Sequence, residues 1–494
     1  MSGKSLKSLF KNLGRPNNLK DDCLISGITS DSKQVKPGWI FVAVKGYQQD
    51  GHNFLNKALK NGASAVVVEN SAEDLPVPFL ITDNSRKTLA LLAKRFYGDP
   101  GRKLNLIGVT GTNGKTTTTY FLESIYKQAG HKVGVVGTLN YRWPGFKESA
   151  LQTTPDSVVL YGYFSRMISD GVSTAIMEVS SHALAQYRVE GLMFNSAIFT
   201  NISHEHLDYH KSLDEYVKTK AKLFSQISKN GRAVVNIDDN ASEIIIKSSS
   251  AKVVAYGKSS DPDYRISDIT LLNLGSRFVL KTPDMDLQLH TNLPGLFNVY
   301  NASAAACAAL EQGVKPELVK KGIESLKRVP GRMEGIVSEK GRFRVIVDYA
   351  HTPDALEKIL RCSKEFTEGR LITVFGCGGD RDRQKRPVMG KVASEVSDQV
   401  IITSDNPRTE DPSKIISEIF KGVKKDSSEV NVIEDREQAI KQAISIARKG
   451  DTVVIAGKGH EDYQIIGTKK IHFSDVETAE KYLKDFRELY GSDS

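Results

Sequence analysis

The stretch 108–117, GVTGTNGKTT, has the residue types of a phosphate-binding loop but not the usual spacing. A standard P-loop places a glycine five positions before its Gly-Lys pair, and that position is Val109 here. Lys115 could nevertheless reach the terminal phosphates of ATP, and the Thr116 hydroxyl could ligate Mg²⁺. The candidate nucleotide-binding residues are Gly111, Thr112, Asn113, Gly114, Lys115, Thr116 and Thr117.

The segments on either side of this loop predict a strand before it and a helix after it. Residues 104–110, LNLIGVT, form a short apolar run that is typical of a buried strand. After Lys115, apolar residues recur at helical spacing until Gly130, where the helix should end. A helix N-terminus at this point would present unpaired N–H groups and a positive dipole end to an anion. We therefore expect a nucleotide site, with an ordinary strand–turn–helix and a surface lysine as the alternative.

Three polar clusters follow the loop and could complete a site for Mg²⁺ and ATP. The segment AIMEVSSH predicts a strand that ends at Glu178, and IFTNISHEHLDYH predicts another that ends at Asn201 and is followed by His206. The helical segment SLDEYVKTKAKLFSQ then carries Lys218, Lys220 and Lys222. A carboxylate and an imidazole can ligate a divalent cation beside ATP, although Mg²⁺ prefers oxygen and His206 could instead be a structural residue.

Length and composition bound the class of protein. A chain of 494 residues suggests about three domains, and 39% hydrophobic with 26% charged residues is typical of a soluble globular protein. We expect no signal peptide, because the basic start MSGKSLKSLFKNLGR has neither a continuous apolar core nor a cleavage-like site. We expect no membrane span, because no apolar run approaches the ~20 residues that a span needs. The four cysteines are not closely spaced, which favours reduced thiols and a cytoplasmic setting.

The net charge of +9 is spread along the chain rather than gathered into an arm or a stripe. We therefore expect small polyanionic substrates and no nucleic-acid partner.

The composition of the chain divides it into residues 1–100, 101–330 and 331–494. The last region alternates apolar strands with helical segments, the pattern of a parallel sheet. Three of its strands run into the polar turns FGCGGDRDR, SDNPR and AGKGHED. Ligands of parallel sheets bind outside the carboxyl ends of the strands, so these turns predict a second site unless they are simply solvated loops.

Several strings of the sequence occur in the order typical of one enzyme family. They are GTNGKTTT, MEVSSH, FTNISHEHLDYH, GLFNVYN, PGRME, VDYAHTPDALE, GCGGDRDRQKRP, DNPR and AGKGHEDYQ. Over nearly its whole length the chain resembles the Mur ligases of bacterial cell-wall synthesis, whose phosphate loop has the same displaced glycine. The resemblance implies an α/β protein with three domains: an N-terminal uridine-binding domain (1–100), a central P-loop ATPase domain with a parallel-rich sheet (101–330), and a C-terminal Rossmann-like domain for the amino acid (331–494).

The chain is most similar to members that add meso-2,6-diaminopimelate to UDP-N-acetylmuramoyl-L-alanyl-D-glutamate. The resemblance implies that ATP activates the D-glutamate γ-carboxylate as an acyl phosphate, which the amine then attacks. It further implies catalytic roles for Lys115, Glu178, His206 and Lys220, and Mg²⁺ ligation by Thr116, Glu178, His206 and a carbamylated Lys220. The choice of Lys220 over its neighbouring lysines comes from motif alignment.

The remaining site residues are also implied by the resemblance. The nucleotide would contact Asn298, Arg332 and Asp348. The nucleotide-peptide and the amino acid would contact Ser32, Thr153, Thr154, Ser180, Gln186, Arg188, Arg381, Asp405, Asn406, Pro407, Arg408, Gly457 and Glu461. The expected protein is a cytoplasmic monomer with no membrane partner.

Two departures and three alternatives accompany this interpretation. Residues 47–49 are Tyr-Gln-Gln where some relatives have His-Gln-Ala, and Glu205 replaces a common aspartate. Within the enzymes, an L-lysine-adding ligase is the runner-up, and a folate-polyglutamylating ligase should lack DNPR and the N-terminal domain. From another class, a nucleotide-gated switch would hydrolyse ATP without needing the second polar site.

Overall fold

The computed structural model describes residues 3–46, 49–69, 75–203, 209–210, 212–259, 261–272, 275–337, 343–424 and 428–490. The chain forms two compact units. The first comprises residues 1–202, 206–265 and 304–322, and the second comprises residues 203–205, 266–303 and 323–494.

The N-terminal hundred residues form a small sheet with helices. The strands are β1 (Lys4–Ser5), β2 (Arg15–Asn17), β3 (Leu24–Ile25), β4 (Gly27–Thr29), β5 (Trp39–Val42), β6 (Ala63–Val68) and β7 (Phe79–Ile81). The helices are α1 (Leu6–Phe10), α2 (Leu55–Lys60) and α3 (Ser85–Phe96), with 3₁₀ turns at Gly51–Phe54 and Pro100–Lys103. The sheet order is β2-β7-β6-β5-β4, and only its β2–β7 pair is antiparallel.

The middle of the chain alternates strands and helices. The strands are β8 (Asn105–Thr110), β9 (Val133–Val136), β10 (Asn140–Trp143), β11 (Phe146–Ser149), β12 (Thr174–Glu178), β13 (Phe194–Phe199), β14 (Ile227–Asn236), β15 (Lys252–Gly257), β16 (Tyr264–Leu272), β17 (Gly275–Lys281) and β18 (Asp286–Thr291). The helices are α4 (Lys115–Gln128), α5 (Ser157–Ser169), α6 (Ser181–Ala185), α7 (Leu213–Ala221), α8 (Ser242–Lys247), α9 (Leu296–Leu310) and α10 (Pro316–Ser325), with a 3₁₀ turn at Phe224–Gln226.

Strand β8 lies inside the main sheet of the first unit, between β12 and β13. The neighbouring strands run β9-β12-β8-β13-β14-β15, all parallel, with β10 and β11 antiparallel beyond β9. Because parallel strands point their carboxyl ends the same way, the loops after β8, β12 and β13 meet at one edge. The sheet therefore positions the phosphate loop beside the polar segments that follow Glu178 and Phe199.

Two sequence expectations in this region need correction. We expected a strand through Asn201, but β13 ends at Phe199, because the side chains of Thr200 and Asn201 turn to hydrogen-bond the phosphate loop. The helix expected over the segment SLDEYVKTKAKLFSQ ends at Ala221 and is followed by a 3₁₀ turn.

The C-terminal part forms a sheet covered on both faces. Its strands are β19 (Glu334–Val337), β20 (Arg344–Asp348), β21 (Leu371–Phe375), β22 (Gln399–Ile402), β23 (Glu429–Val432), β24 (Thr452–Ala456), β25 (Tyr463–Ile466) and β26 (Lys469–His472). Its helices are α11 (Pro353–Glu365), α12 (Lys385–Val396), α13 (Pro412–Phe420), α14 (Arg436–Ile446) and α15 (Asp475–Tyr490).

The order of this sheet is β19-β20-β24-β21-β22-β23, parallel except at β19. Alternate residues of each strand point to opposite faces. On one face Leu371 and Phe375 pack against α11, α12 and α13. On the other, Ile372 and Val374 pack against α14 and α15. This is the doubly wound arrangement that the Rossmann-like prediction required.

All four cysteines are free. Among the residues that the structure describes, we find no helix with the length and apolarity that crossing a bilayer requires.

Candidate active-site regions

The phosphate loop of the first unit takes its shape from its glycines. Gly111 has a φ of 147°, and a Cβ on it would lie 1.9 Å from the Thr200 Oγ1 atom. Gly114 has a φ of 85° and directly precedes α4. Side chains are disfavoured at both positions, so the backbone here needs glycine.

The segment after β13 holds the loop in place. The Thr112 N–H donates to the Asn201 carbonyl at 2.7 Å, and the Asn113 N–H donates to the Asn201 Oδ1 atom at 3.1 Å. The Thr200 hydroxyl donates to the Asn113 carbonyl at 2.7 Å. These bonds fix the loop without using the N–H groups at the start of α4, which is the part that would receive a phosphate.

Lys115 lies folded over the loop. Its Nζ atom donates to the carbonyls of Gly111 and Thr112 at 2.8 and 2.7 Å. An ammonium in this position adds a full positive charge to the dipole end of α4. Thr116 and Thr117, in the first turn of the helix, are both buried.

Glu178, at the end of β12, is a buried carboxylate surrounded by hydroxyl and N–H donors. Its oxygens accept from the Thr116 hydroxyl at 3.0 and 3.1 Å. They also accept from the Thr138 N–H and the Thr138 hydroxyl, each at 2.9 Å. Glu178 is 1% exposed, so these hydroxyl and N–H donors stabilise a carboxylate that water hardly reaches.

The pair Thr116–Glu178 fits a magnesium site. Both supply oxygen, the ligand atom that Mg²⁺ prefers, and adjacent ligands of an octahedral ion at about 2.1 Å lie about 3 Å apart. The oxygens of this pair are separated by that distance. His206, the third predicted ligand, lies outside the described residues, within which no cluster of three His, Cys, Asp or Glu side chains could hold a metal.

Lys220 reaches the same loop from α7. It is 2% exposed, its Nζ atom donates to the Gly111 carbonyl at 3.0 Å, and it lies 4.4 Å from the centroid of the Tyr216 ring. By contrast, Lys218 is exposed and pairs with Asp214. The structure thus separates two lysines that the sequence alone could not rank, since only Lys220 points to the phosphate loop.

The residues predicted to bind the peptide lie together beside Glu178. The Thr154 hydroxyl donates to the Glu178 carbonyl at 2.8 Å and accepts from the Ser180 N–H at 3.1 Å. Arg188 donates to the Thr154 carbonyl and to the Gln186 Oε1 atom, both at 2.7 Å.

Thr153 and Ser32 complete the peptide and uridine predictions. The Thr153 hydroxyl contacts the Thr138 hydroxyl at 3.1 Å, which links it to the Glu178 group. Ser32 is buried in the N-terminal sheet region, where its carbonyl accepts a hydrogen bond from the Asn61 side chain at 2.8 Å. The described structure therefore groups the peptide residues around Glu178.

In the second unit, the residues predicted to contact the nucleotide occupy two places. Asp348, at the end of β20, accepts from the N–H groups of Met333 and Ala350 at 2.7 and 2.8 Å. Burial raises the pKa of the Asp348 carboxyl, while the Arg332 guanidinium acts in the opposite direction. The Arg332 guanidinium stacks over the Tyr349 ring at 5.0 Å. Asn298, in α9, donates to the Pro294 carbonyl at 2.7 Å.

The loops after β21 and β22 are hydrogen-bonded to each other at the strand ends. The Gly379 N–H donates to the Asn406 carbonyl at 2.9 Å, and the Arg408 Nη1 atom donates to the Gly379 carbonyl at 2.7 Å. A Cβ on Gly379 would lie 1.9 Å from the Pro407 carbonyl oxygen, so the contact requires glycine. Arg381, in the same loop, is exposed.

The loop after β24 meets the loop after β22 through polar side chains. The Asn406 amide donates to the Glu461 Oε2 atom at 2.9 Å. A Cβ on Gly457 would lie 2.6 Å from the Asp405 Oδ2 atom, so Gly457 brings the two loops close. The strand-end cluster, defined here as Asp405, Asn406, Arg408, Lys458 and Glu461, therefore forms from two loops.

Sequence reasoning missed four residues of these two regions. Lys458 is fully buried in the strand-end cluster, and Arg386 braces the loop after β21 by donating to the Gly378 carbonyl and to Glu410. Arg436, fully buried, pairs with Asp475 and donates to the Ala456 carbonyl. Thr138 follows β9. Lys458 could have been found because it lies between two glycines, and Thr138 because it follows the end of a strand. No local signal marked Arg386 or Arg436.

Three protein-family models match the chain. They are described as Mur ligase family, catalytic domain (residues 24–97), Mur ligase middle domain (residues 109–309) and Mur ligase, glutamate ligase domain (residues 331–459).

Individual proteins match over most of the chain. A Clostridium acetobutylicum protein named UDP-N-acetylmuramoyl-L-alanyl-D-glutamate–2,6-diaminopimelate ligase 1 is 42% identical, over 93% of this chain and 95% of the relative. A Bacillus velezensis ligase of the same name, without the number, is 45% identical over 92% of this chain and 93% of the relative. A solved structure of such a ligase superposes with a TM-score of 0.72 at 33% identity, covering 98% of this chain and 99% of its own.

Proposed function

The chain belongs to the Mur ligase family, and from this premise we propose that it joins meso-2,6-diaminopimelate to UDP-N-acetylmuramoyl-L-alanyl-D-glutamate with ATP. The observation that carries the proposal is the strand-end cluster. Its Arg408 guanidinium suits a carboxylate and its Glu461 carboxylate suits an ammonium. Diaminopimelate carries both groups on its far carbon. The names of the full-length relatives support the same substrates.

The phosphate loop suits the first chemical step. The γ-carboxylate oxygen of D-glutamate bonds to the γ-phosphorus of ATP, the bond to the bridging oxygen breaks, and ADP leaves with the electron pair. A carboxylate attacking a phosphate meets charge repulsion, which positive groups must offset. Lys115 and the N–H groups of α4 supply that potential. Mg²⁺, when held by Thr116, Glu178 and His206, adds positive charge to the phosphoryl oxygens.

The second step forms the amide bond. The amine nitrogen of diaminopimelate bonds to the acyl carbon and loses a proton, and the carbon–oxygen bond to the phosphate breaks. Inorganic phosphate leaves with the electron pair. In this step the strand-end cluster holds the far end of the amino acid, so the reacting amine stays oriented.

The three matched family segments support the proposed domains 1–100, 101–330 and 331–494, with Ser32 serving the uridine end. Four free cysteines fit the cytoplasmic setting that we propose for the reaction.

A phosphate-release screen tests the proposed function. The protein is incubated with ATP, Mg²⁺, UDP-N-acetylmuramoyl-L-alanyl-D-glutamate and one amino acid at a time, and phosphate and the ligated product are measured together. We expect phosphate release to require all substrates and to be fastest with meso-diaminopimelate. Lys115→Ala should slow the reaction on the order of 10²-fold or more. A variant with near-normal activity would remove the phosphate-loop assignment.

The alternatives give different results in the same screen. L-lysine used as readily as meso-diaminopimelate would identify the lysine-adding ligase, and activity on a folate would identify the polyglutamylating one. Phosphate release with ATP alone, needing neither peptide nor amine, would favour a nucleotide-gated switch.

We further propose that Lys220 reacts with CO₂ to form a carbamate. The Nζ atom bonds to the carbon of CO₂ and a proton leaves, which gives this position the acceptor oxygens that lysine lacks. Burial of Lys220 against the phosphate loop supports the proposal.

Lys220→Ala tests this carbamate with Lys218→Ala as the matched control, because Lys218 lies in the same helix but is exposed. Lys220→Ala should be nearly inactive and partly rescued by small carboxylates, while Lys218→Ala should resemble the wild type. Normal activity of Lys220→Ala, or a mass that shows only free amine, would direct attention to Lys222.

A further inference from the structure

Lys458 is a lysine with no solvent exposure in the loop after β24. Its Nζ atom donates to the Glu461 Oε2 atom at 3.0 Å and to the Asn406 Oδ1 atom at 3.2 Å. It lies 4.0 Å from the Asp405 Oδ1 atom. Lysine is almost never fully buried unless it is paired, and the partners of Lys458 are the carboxylates of Glu461 and Asp405.

The ammonium fixes the orientation of the neighbouring amide. The Asn406 Oδ1 atom accepts from Lys458 and from the Ile465 N–H at 2.9 Å, while the Asn406 Nδ2 atom donates to Glu461. Both ends of the amide are therefore assigned by their partners. Glu461 Oε2 in turn takes two donors, one from each loop. Two loops that are more than fifty residues apart in the chain are joined at one carboxylate oxygen.

The ammonium also sets the charge of the cluster. Asp405 and Glu461 bring two negative charges, and Lys458 offsets one of them. Nearby, Arg436 pairs with Asp475 in a bond in which both side chains are fully buried. Lys458 therefore offsets one of these two carboxylates, while Arg408, the other cation of the cluster, donates to the Gly379 carbonyl. Without Lys458, the Glu461 carboxylate would lose its buried cationic partner, and an unpaired buried charge is strongly unfavourable.

We propose that Lys458 is a positioning residue of the amino-acid site, which holds Asn406 and Glu461 as one unit and so orients the Glu461 carboxylate toward the substrate's ammonium. The inference rests on the proposed function of this site. Lys458 acts through Glu461 and Asn406, so its removal should affect the use of the amino acid and not the use of ATP.

Steady-state kinetics of Lys458→Met tests the proposal. We expect the KM for meso-diaminopimelate to rise about 10-fold or more, because the carboxylates lose their buried partner. The KM values for ATP and for the nucleotide-dipeptide should stay within about twofold, and kcat within a few-fold. The matched control is Lys470→Met, which removes an exposed lysine from the Tyr463 ring but touches neither Asn406 nor Glu461. It should leave all constants unchanged.

A double variant separates positioning from general support. If Lys458 acts through Glu461, then adding Lys458→Met to Glu461→Gln should raise the KM for diaminopimelate much less than it does in the wild type. Additive effects would overturn the proposal, as would a parallel rise of all three KM values or wild-type constants in Lys458→Met.

An inactive wild type and an unfolded variant are interpreted separately from these kinetic outcomes. If wild-type protein forms no product with diaminopimelate, the proposed function fails, whatever the variants do. If Lys458→Met does not fold, Lys458→Gln decides in the same way, because it removes the charge but keeps an amide donor. A raised KM for diaminopimelate alone supports the proposal, and an unchanged or a general effect contradicts it.

Discussion

The phosphate loop of the first unit and the strand-end cluster of the second are shaped by different interactions. Around the loop, consecutive residues supply main-chain N–H groups, and the glycines at 111 and 114 make the shape possible. At the strand ends the shape comes from charged side chains on separate loops, such as Lys458 and Glu461. The first region should therefore be sensitive to an added methyl group, and the second to a removed charge.

The largest expected effect comes from Gly111→Ala. The new Cβ would overlap the Thr200 Oγ1 atom, and the alanine would have to keep a φ of 147°, which L residues rarely adopt. The loop must therefore change shape, which misaligns the N–H groups expected to bind phosphate. Losing the aligned donors should lower kcat by about 10³-fold, the upper end for a lost oxyanion donor. Single-turnover kinetics of phosphate release measures this.

Gly145→Ala is the matched control for that variant. Gly145 also has a positive φ, 83°, but an added Cβ meets nothing within 4 Å. It should cost some stability and leave kcat unchanged. If Gly111→Ala keeps kcat within threefold of the wild type, the backbone account of the loop is wrong.

Arg408→Ala should have the next largest effect and decides between two roles. Its guanidinium donates to the Gly379 carbonyl, so it could brace the loop as well as bind the far carboxylate of diaminopimelate. Losing a carboxylate partner should raise the KM for diaminopimelate about 10²-fold. L-lysine lacks that carboxylate, so its slower use should change little.

The ratio of kcat/KM for diaminopimelate to that for L-lysine is therefore the quantity to measure. A parallel loss for both amino acids would show that Arg408 only braces the loop. Arg383→Ala serves as control, since Arg383 lies in the same loop as Gly379 but is exposed and bonds to Glu418 of α13 rather than to the Gly379 carbonyl.

The sequence predicted the features that depend on neighbouring residues better than those that depend on contacts between separate loops. Strand β8 and helix α4 begin and end within about two residues of the expected positions, because glycines and apolar spacing are local signals. The carboxyl ends of β21, β22 and β24 were also predicted to carry the second site, since parallel strands align them.

The contacts that complete each region were not predictable in this way. Strand β13 ends early because Thr200 and Asn201 bond a loop about ninety residues away. The link between Lys458 and Asn406 requires the order β24-β21-β22, in which strands distant in sequence become neighbours. A buried arginine such as Arg386 cannot be told from a surface arginine in the sequence. Its burial depends on ion pairs with Glu410 and Glu418, which are distant in the sequence.

Arg386→Met should destabilise the second unit by a smaller amount. Arg386 is fully buried and donates to Glu410, Glu418 and the Gly378 carbonyl. Hydrogen bonds to charged groups contribute about 1.5–3 kcal/mol each, and solvent reaches the two carboxylates, so we expect a loss of about 2 kcal/mol. Urea unfolding at neutral pH measures it. The KM for diaminopimelate should rise only slightly, and an unchanged midpoint would contradict the bracing role.

The smallest effect is a pH dependence of that same loss. Hydrogen bonding to Arg386 lowers the pKa of Glu410 to about 2, and bonds to Arg383 and Arg386 lower the pKa of Glu418 to about 2, from an ordinary value of 4.5. Between these values the unfolded chain binds more protons than the folded one, so this stabilisation is complete above about pH 4.5 and disappears as the pH falls toward 2.

The difference in urea midpoint between the wild type and Arg386→Met should therefore shrink as the pH is lowered from 7 to 3. Lys364→Met, which removes a partly exposed lysine from Asp398 in the same unit, should show no comparable trend. A difference that stays constant down to pH 3 would mean that the charges of Glu410 and Glu418 do not stabilise the strand-end loops.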